Sequence, residues 1–371
     1  MKCKYNFLLV LVSLITVFTI SPLGSQEQTG LDDSMRFYDG QTFVIIGRYH
    51  DDSNYLRFPS KYKGVVRDAV WGESLSSAGI SIRFRTNAST IKVRWTLTEN
   101  KKSWNQSSSG VDGIDLYAYT GARWQYVNTG LSKDKENEFT LIRNGETVYR
   151  EYLLNLPLYN CVTSLSIGVN KTADMGKPLA KLLTEKKPVV YYGSSIAQGG
   201  SASRPGLAYT NILSRRLDRS FVNFGFSGEG TFDESVGRAM SEVDAVLYVI
   251  DCNPNSDKKI IYERAVKLVK LLKEKRPAVP ILLVEGYYYD SDFFEKSGNS
   301  DVDARRRELK KAYDDLKNSG IKDIYYKKGD GLKGDDHEAT IDGVHLDDIG
   351  MQRFAENMLP VIKTILKTQN N

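Results

Sequence analysis

Two short stretches carry residue types that can do chemistry together. In "PVVYYGSSIAQGGSASRPG", Pro188 to Gly206, an apolar run stops on Gly193 and leaves the hydroxyls of Ser194 and Ser195 at its tip. In "TIDGVHLDDIG", Thr340 to Gly350, Asp342 and His345 stand three residues apart. A serine hydroxyl is a weak nucleophile until a base takes its proton during attack, and the usual base is an imidazole oriented by a carboxylate. One turn is enough for Asp342 to hold one ring nitrogen of His345 while the other faces a serine. The oxyanion formed on attack needs hydrogen-bond donors. The backbone N–H of Ser195, that of Gly228 in "NFGFSGEG", and an Asn side chain of "DCNPN", Asp251 to Asn255, are the candidates. These are the parts of a serine acyl hydrolase, whose mechanism requires no metal and no organic cofactor. The plainer use of the Ser194–Ser195 pair is to cap a helix.

Other reactive residue types have weaker claims. Of the three histidines, His50 in "RYHDDSN" reads as a loop residue, and His337 lies in the acidic run Asp335, Asp336, Glu338, which reads as solvated rather than metal-binding. Cys252 has no evident base nearby, so it and Cys161 read as separately buried thiols. Arg204 in "SASRPG" is a candidate for orienting a polar substrate. Tyr287 and Tyr288, with Tyr289 in "EGYYYDSDFF", are candidates for a sugar-stacking wall.

These groups must be positioned by two kinds of element. From about Thr42 to Val169, segments such as "ISIRFRT", "TIKVRWTLT", "IDLYAYT" and "TSLSIGV" alternate apolar and polar residues, with Gly, Asn and Ser clusters between them; this predicts an antiparallel β-sandwich. "NQSSSG", Asn105 to Gly110, reads as a loop. After residue 187, the apolar runs "VVYY", "FVNFG", "AVLYVI", "ILLVEG" and "DIYYKK" alternate with helical stretches near 207–217, 235–242, 258–274, 302–318 and 349–367. Strand and helix in alternation predict a parallel sheet covered on both faces, with ligands at the carboxyl ends of its strands. The Lys-rich stretch 172–187 reads as the linker between the two regions.

Taken together, Gly-x-Ser at Gly193–Ser195, Ser227-Gly228, the Asn-containing "DCNPN" and Asp342-x-x-His345 resemble the four blocks of the SGNH, or GDSL-type, hydrolase superfamily. Gly113-Ile114-Asp115-Leu116-Tyr117 is similar to the Gly-x-Asp-Leu-Tyr signature of a bacterial subgroup in which a small β-rich domain precedes the esterase domain. The resemblance implies a flavodoxin-like α/β/α hydrolase domain, with Ser195 as nucleophile, His345 as base, Asp342 as acid, and Ser195, Gly228 and an Asn as oxyanion donors. Two departures stand out. Ser194 occupies a position where the superfamily often has Asp. In the third block, alignment on Asp251 selects Asn253, whereas the subgroup's Asp-Cys-x-Pro-Asn pattern selects Asn255, which is preferred. The Gly113–Tyr117 segment reads as docking the two domains or shaping the rim of the site, and the sequence gives Asp115 itself no chemical task.

Residues 1–25 carry Lys2 and Lys4, an apolar core from Phe7 to Ile20 and small residues around Ser21 to Ser25, the layout of a secretory signal peptide. Cys3 lies on the wrong side of that core for a lipid-modified N-terminus. The expected order is signal peptide 1–25, β-sandwich domain 26–175 and hydrolase domain 176–371, in an exported protein without stable membrane insertion. Cleavage would lower the formal net charge from +5 to +3, since Lys2 and Lys4 leave and no acid does. So mild a surplus argues against a nucleic-acid partner. The expected substrate is an acylated, most simply acetylated, oligo- or polysaccharide. An aryl- or thioesterase and a carbohydrate-binding protein with a vestigial site are the alternatives.

Overall fold

The computed structural model describes residues 34–99, 101, 103–295 and 299–368, so the predicted signal peptide lies outside the described residues. From Ser34 onward these residues form one compact unit.

The alternating segments pair as two antiparallel sheets. One has the order Met35–Asp39, Val162–Asn170, Ile91–Leu97, Glu136–Ile142; the other runs Met175–Gly176, Ser81–Thr86, Arg150–Asn155, Ile114–Tyr119, Trp124–Gly130, with Val44–Ile46 also paired to Ser81–Thr86. Period-two patterning decides which side chains meet between the sheets. Ile91, Val93, Trp95 and Leu97 of one sheet are buried with Ile82, Phe84, Ile114, Leu116 and Leu154 of the other.

The continuous apolar runs form a five-stranded parallel sheet in the order Phe221–Gly225, Val189–Gly193, Leu247–Asp251, Ile281–Val284, Ile324–Lys327. Both sides of every strand are covered, which is why these runs do not alternate in polarity. Val190, Tyr192, Phe224, Tyr248 and Ile250 pack beneath Glu234–Glu242, Lys258–Lys275 and Ser300–Asn318. Val189, Tyr191, Leu247 and Val249 pack beneath Tyr209–Leu217 and Asp348–Thr368. No described helix is long and apolar enough to cross a membrane. The strand order reverses at Val189–Gly193, the first strand of the sheet, so the crevice for a ligand opens beside the Gly193–Ser195 turn.

The two regions share core as well as surface. Phe58, Tyr62, Val66 and Val70, early in the chain, are buried among the helices of the parallel sheet, and Ala78, Val111, Leu158 and Tyr159 join the opposite layer. The stretch 177–188 is a connector of turns, with Leu183 buried and its N–H bonded to Asp218. Cys161 and Cys252 are both buried and unpaired, and burial pushes both thiols up, that of Cys161 to about 11.

Asp115 carries out the docking expected of the Gly113–Tyr117 segment, through partners that the sequence did not name. It is fully buried; its Oδ1 accepts from Asn155 at 2.7 Å, and its Oδ2 accepts from the Gly206 N–H at 2.8 Å and Arg204 Nη1 at 2.7 Å. Gly206 is required there because a Cβ would stand 2.7 Å from Asp115 Oδ2 and 2.5 Å from the Tyr117 ring. Arg215 stacks on that ring, 4.1 Å from its centre. The Gly-x-Asp-Leu-Tyr segment thus grips the turn Pro205–Leu207 of the hydrolase region.

A second buried carboxyl sits at the sheet's edge of function. Asp251 pairs in register with Gly193, and burial raises its pKa from 3.8 to about 8, against the opposing hydrogen bonds of the Tyr191 and Tyr209 hydroxyls. The folded protein therefore keeps a proton that the unfolded chain has already released near pH 4, so this group makes stability fall as pH rises from about 4 to about 8. Replacement by neutral Asn is expected to flatten denaturant-measured stability across that window; an unchanged slope in Asp251→Asn would show that the carboxyl is ionised in the fold. Removing one partner of a buried charged pair costs about 3–5 kcal/mol. Asp115→Ala is accordingly expected to lower the unfolding free energy by about that amount, measured by urea titration, with a surface control such as Lys63→Ala unchanged.

Candidate active site

The nucleophile turn is built by the end of the first parallel strand. Ser194 is the N-cap of the short helix Ser195–Gln198, its Oγ accepting from the Ile196 N–H at 3.3 Å. The capping use read from the Ser-Ser pair thus falls to Ser194 and leaves the Ser195 hydroxyl to other partners. Ser195, the first helical residue, sends its Oγ to within 3.0 Å of His345 Nε2. The other ring nitrogen, Nδ1, lies 2.8 Å from Asp342 Oδ2. Since a carboxylate only accepts, Nδ1 carries the hydrogen and Nε2 is left as the acceptor for the serine proton.

The Asp342–His345 loop is irregular rather than helical. Asp342 Oδ1 accepts the N–H groups of Val344 at 3.0 Å and His345 at 2.7 Å, a local turn in which Gly343 takes φ +84°. The loop is pinned from outside by the Asp290 N–H to Gly343 O, the Tyr287 hydroxyl to Val344 O, and the Ile341 N–H to His345 O. Burial works to raise the Asp342 pKa, but hydrogen bonds from His345, Asn105 and Val344 outweigh it and hold the carboxyl at about 2. Asp342 is thus an anion across the range in which an imidazole acts as a base.

The candidate oxyanion donors stand after the ends of three neighbouring strands. The Ser195 N–H opens its helix, where first-turn amides have no intrahelical partner. In the turn after Phe221–Gly225, the Ser227 N–H bonds Gln198 Oε1 at 3.0 Å, and those of Glu229 and Gly230 bond Phe226 O, while the Gly228 N–H has no hydrogen-bond partner among the described residues. Gly228 is exposed, at φ +72°, a conformation that favours glycine. Asn253 and Asn255 lie on one 3-10 turn after Leu247–Asp251. Asn253 is buried, at 1% exposure, whereas Asn255 is half-buried.

The substrate-contact candidates are placed otherwise than expected. Arg204 is committed to Asp115 and to the Tyr117 hydroxyl at 2.7 Å, with its guanidinium over the Tyr126 ring. Tyr287 is buried, and its hydroxyl supports the His345 loop at 2.5 Å. Tyr288 lies over Arg306 and bonds Asp303. The sequence showed aromatic and basic residues near strand ends, but not these contacts; Tyr287 and Tyr288 also line a cavity together with Tyr289. His50 bonds Leu56 O and His337 bonds Asp290, so neither is the partner of Ser195. Among the described residues no cluster of His, Cys, Asp and Glu has the makings of a metal site.

Sequence reasoning missed three contributors. Asn105, read as loop, donates through Nδ2 to Asp342 Oδ2 at 2.8 Å. Gln198, fully buried, ties the nucleophile helix to the Gly228 turn and, through Nε2, to Ser76 and Leu158 O. Tyr159 donates its hydroxyl to Ser195 O at 3.2 Å. The 237 positions between Asn105 and Asp342 explain the miss, because nothing local marks a contact made only by folding.

Comparisons with known proteins bear on the family and the fold. Residues 186–363 match the GDSL-like lipase/acylhydrolase family, and residues 35–175 match the GxDLY region, the N-terminus of SGNH-hydrolase-type esterases. A search of curated proteins finds no match. Among solved structures, a Bacteroides ovatus protein described as a GDSL-like lipase is 32% identical, with 90% of this chain and 98% of that one covered and a TM-score of 0.86. A salicylyl-acyltransferase from a tetracycline biosynthetic pathway shares the fold at 17% identity, 90% and 98% coverage and a TM-score of 0.74. A family two carbohydrate esterase from Clostridium thermocellum, solved with cellohexaose, does so at 14% identity, 78% and 93% coverage and 0.59. The chain therefore belongs to the GDSL-like lipase/acylhydrolase family, as an ester-hydrolysing SGNH hydrolase with a GxDLY N-terminal region.

Proposed function

We propose that the protein is an exported serine esterase that removes small acyl groups, acetyl in the first instance, from oligo- or polysaccharides. The observation that carries the mechanism is the chain of contacts from Ser195 Oγ through His345 to Asp342, at 3.0 and 2.8 Å. His345 Nε2 takes the Ser195 proton as Oγ attacks the acyl carbon, and Asp342 stabilises the imidazolium. The oxyanion is met by the N–H groups of Ser195 and Gly228 and by the Asn255 side-chain amide. Collapse expels the sugar alkoxide, which takes the proton from His345. Water, deprotonated by the same imidazole, then releases the acid.

The substrate reading draws on likeness and on one surface feature. Family two carbohydrate esterases and an acetyl xylan esterase from Butyrivibrio proteoclasticus share the fold. Trp104, the chain neighbour of Asn105, is 86% exposed, and an indole face left in water beside the Asp342 loop suits stacking on a sugar ring. The salicylyl-acyltransferase likeness favours a second reading, an aryl ester handled by the same machinery. Export rests on the leader-like residues 1–25.

Acetate release from p-nitrophenyl acetate and a panel of acetylated polysaccharides tests the reading. Wild type is expected to release acetate, and Ser195→Ala to lose at least about 1,000-fold in kcat, while Ser194→Ala keeps its activity apart from any loss of helix capping. Activity retained in Ser195→Ala would reject the mechanism, and release of salicylate esters alone would move the substrate to the aryl class. Asn255→Ala is expected to lower kcat by about 100-fold, whereas loss confined to Asn253→Ala would transfer the donor role to that residue.

A further inference from the structure

We infer that Asn105 is a positioning residue of the acyl-transfer machinery, a fourth member behind Asp342 that the N-terminal β-rich region supplies to the hydrolase; the inference rests on the serine-esterase reading above. Asn105 is buried at 8% exposure, and both ends of its side-chain amide and its backbone carbonyl are committed. Its Nδ2 donates to Asp342 Oδ2 at 2.8 Å and lies 3.4 Å from His345 Nδ1. Its Oδ1 accepts from Ser103 Oγ at 3.0 Å, which orients the amide with the nitrogen toward Asp342. Its backbone carbonyl accepts the Ser201 hydroxyl at 2.9 Å. Ser201 holds φ +71°, uncommon for a residue with a side chain, so the turn after the nucleophile helix bears strain at the point where it grips the Asn105 segment.

The segment following Asn105 is fastened to the same turn. Ser107 and Ser109 both donate to Ser203 O, and Gly110 approaches so closely that a Cβ would lie 2.3 Å from Ala202 O. Ser203 in turn donates its N–H and hydroxyl to Asp348, at the start of the helix that follows His345. The segment around Asn105 is therefore locked both to the loop that follows Ser195 and, through Asp342, to the loop that carries His345.

Chemistry gives this contact a consequence beyond rigidity. Asp342 Oδ2 accepts from two donors, the His345 ring and the Asn105 amide, so its charge is shared between them. Removing the amide leaves the Oδ2 atom to the imidazole alone, which both loosens the loop and favours the imidazolium. A second carboxylate in place of the amide favours it further.

The test compares wild type, Asn105→Ala and Asn105→Asp in the whole protein, with thermal unfolding measured for each. In Asn105→Ala, kcat for p-nitrophenyl acetate is expected to fall by about 10- to 100-fold with KM within about twofold. The acidic limb of the kcat/KM profile is expected to move to higher pH, further in Asn105→Asp than in Asn105→Ala. A merely structural residue would lower activity in step with folded protein and leave the limb in place. A kcat within twofold of wild type, or an unmoved limb in folded variants, overturns the inference. A substrate-free readout separates it from the esterase reading: the downfield proton NMR signal of the His345 Nδ1–H, identified by its loss in His345→Ala. Its position is expected to change in Asn105→Ala even if no tested ester is hydrolysed, and an unchanged signal overturns the inference.

Discussion

The site depends on the saturation of one carboxylate. Asp342 accepts four hydrogen bonds, two from its own turn, one from the His345 ring and one from Asn105. Asp342 is half-buried, and four donors hold it as an anion beside the His345 ring. To satisfy it the chain must bring its C-terminal loop, its nucleophile turn and a loop from the antiparallel sheets to one point. The packing of the whole molecule follows from that meeting.

The seam between the antiparallel and parallel sheets is accordingly more than a junction of two bodies. Asp115 grips the Gly206 turn, Gln198 bridges from the nucleophile helix to Ser76 and Leu158, and Phe58 and Tyr62 fill the layer over the first parallel strands. Each of these contacts is buried, so each is held in a medium where hydrogen bonds and charge pairs have little competition from water. Such a seam holds the oxyanion turn at Gly228 and the Asp342 loop in fixed relation to Ser195. Preorganisation of this kind is what an acyl-transfer site requires, since donors that must reorient during reaction stabilise the transition state poorly.

Residue type alone did not foretell how the polar side chains near the site would be used. Arg204, Tyr287 and Tyr288 have the chemistry to touch a sugar, yet each is engaged in holding the protein together. Trp104, in a loop that reads as featureless, is left in water next in the chain to the residue that bonds Asp342. A side chain is available to a ligand only after its neighbours have taken their share of its donors and faces, and that distribution is a property of the folded packing.

What the sequence determined by itself was the local grammar: period-two strands before residue 170, continuous buried strands alternating with helices after 187, and the short blocks around Ser195, Gly228, Asn255 and His345. Those follow from periodicity and from turn chemistry within a few residues, so they are legible without a fold. The helix-cap role of Ser194 and the reach of Asp342 to His345 are local in the same sense. Only the tertiary structure decided which partners Asp115 would dock against, and that Asn105, Gln198 and Tyr159 would stand behind the site. Their partners lie tens to hundreds of positions away, and hydrogen bonds across such separations are set by how the sheets pack, which no short window of residues encodes.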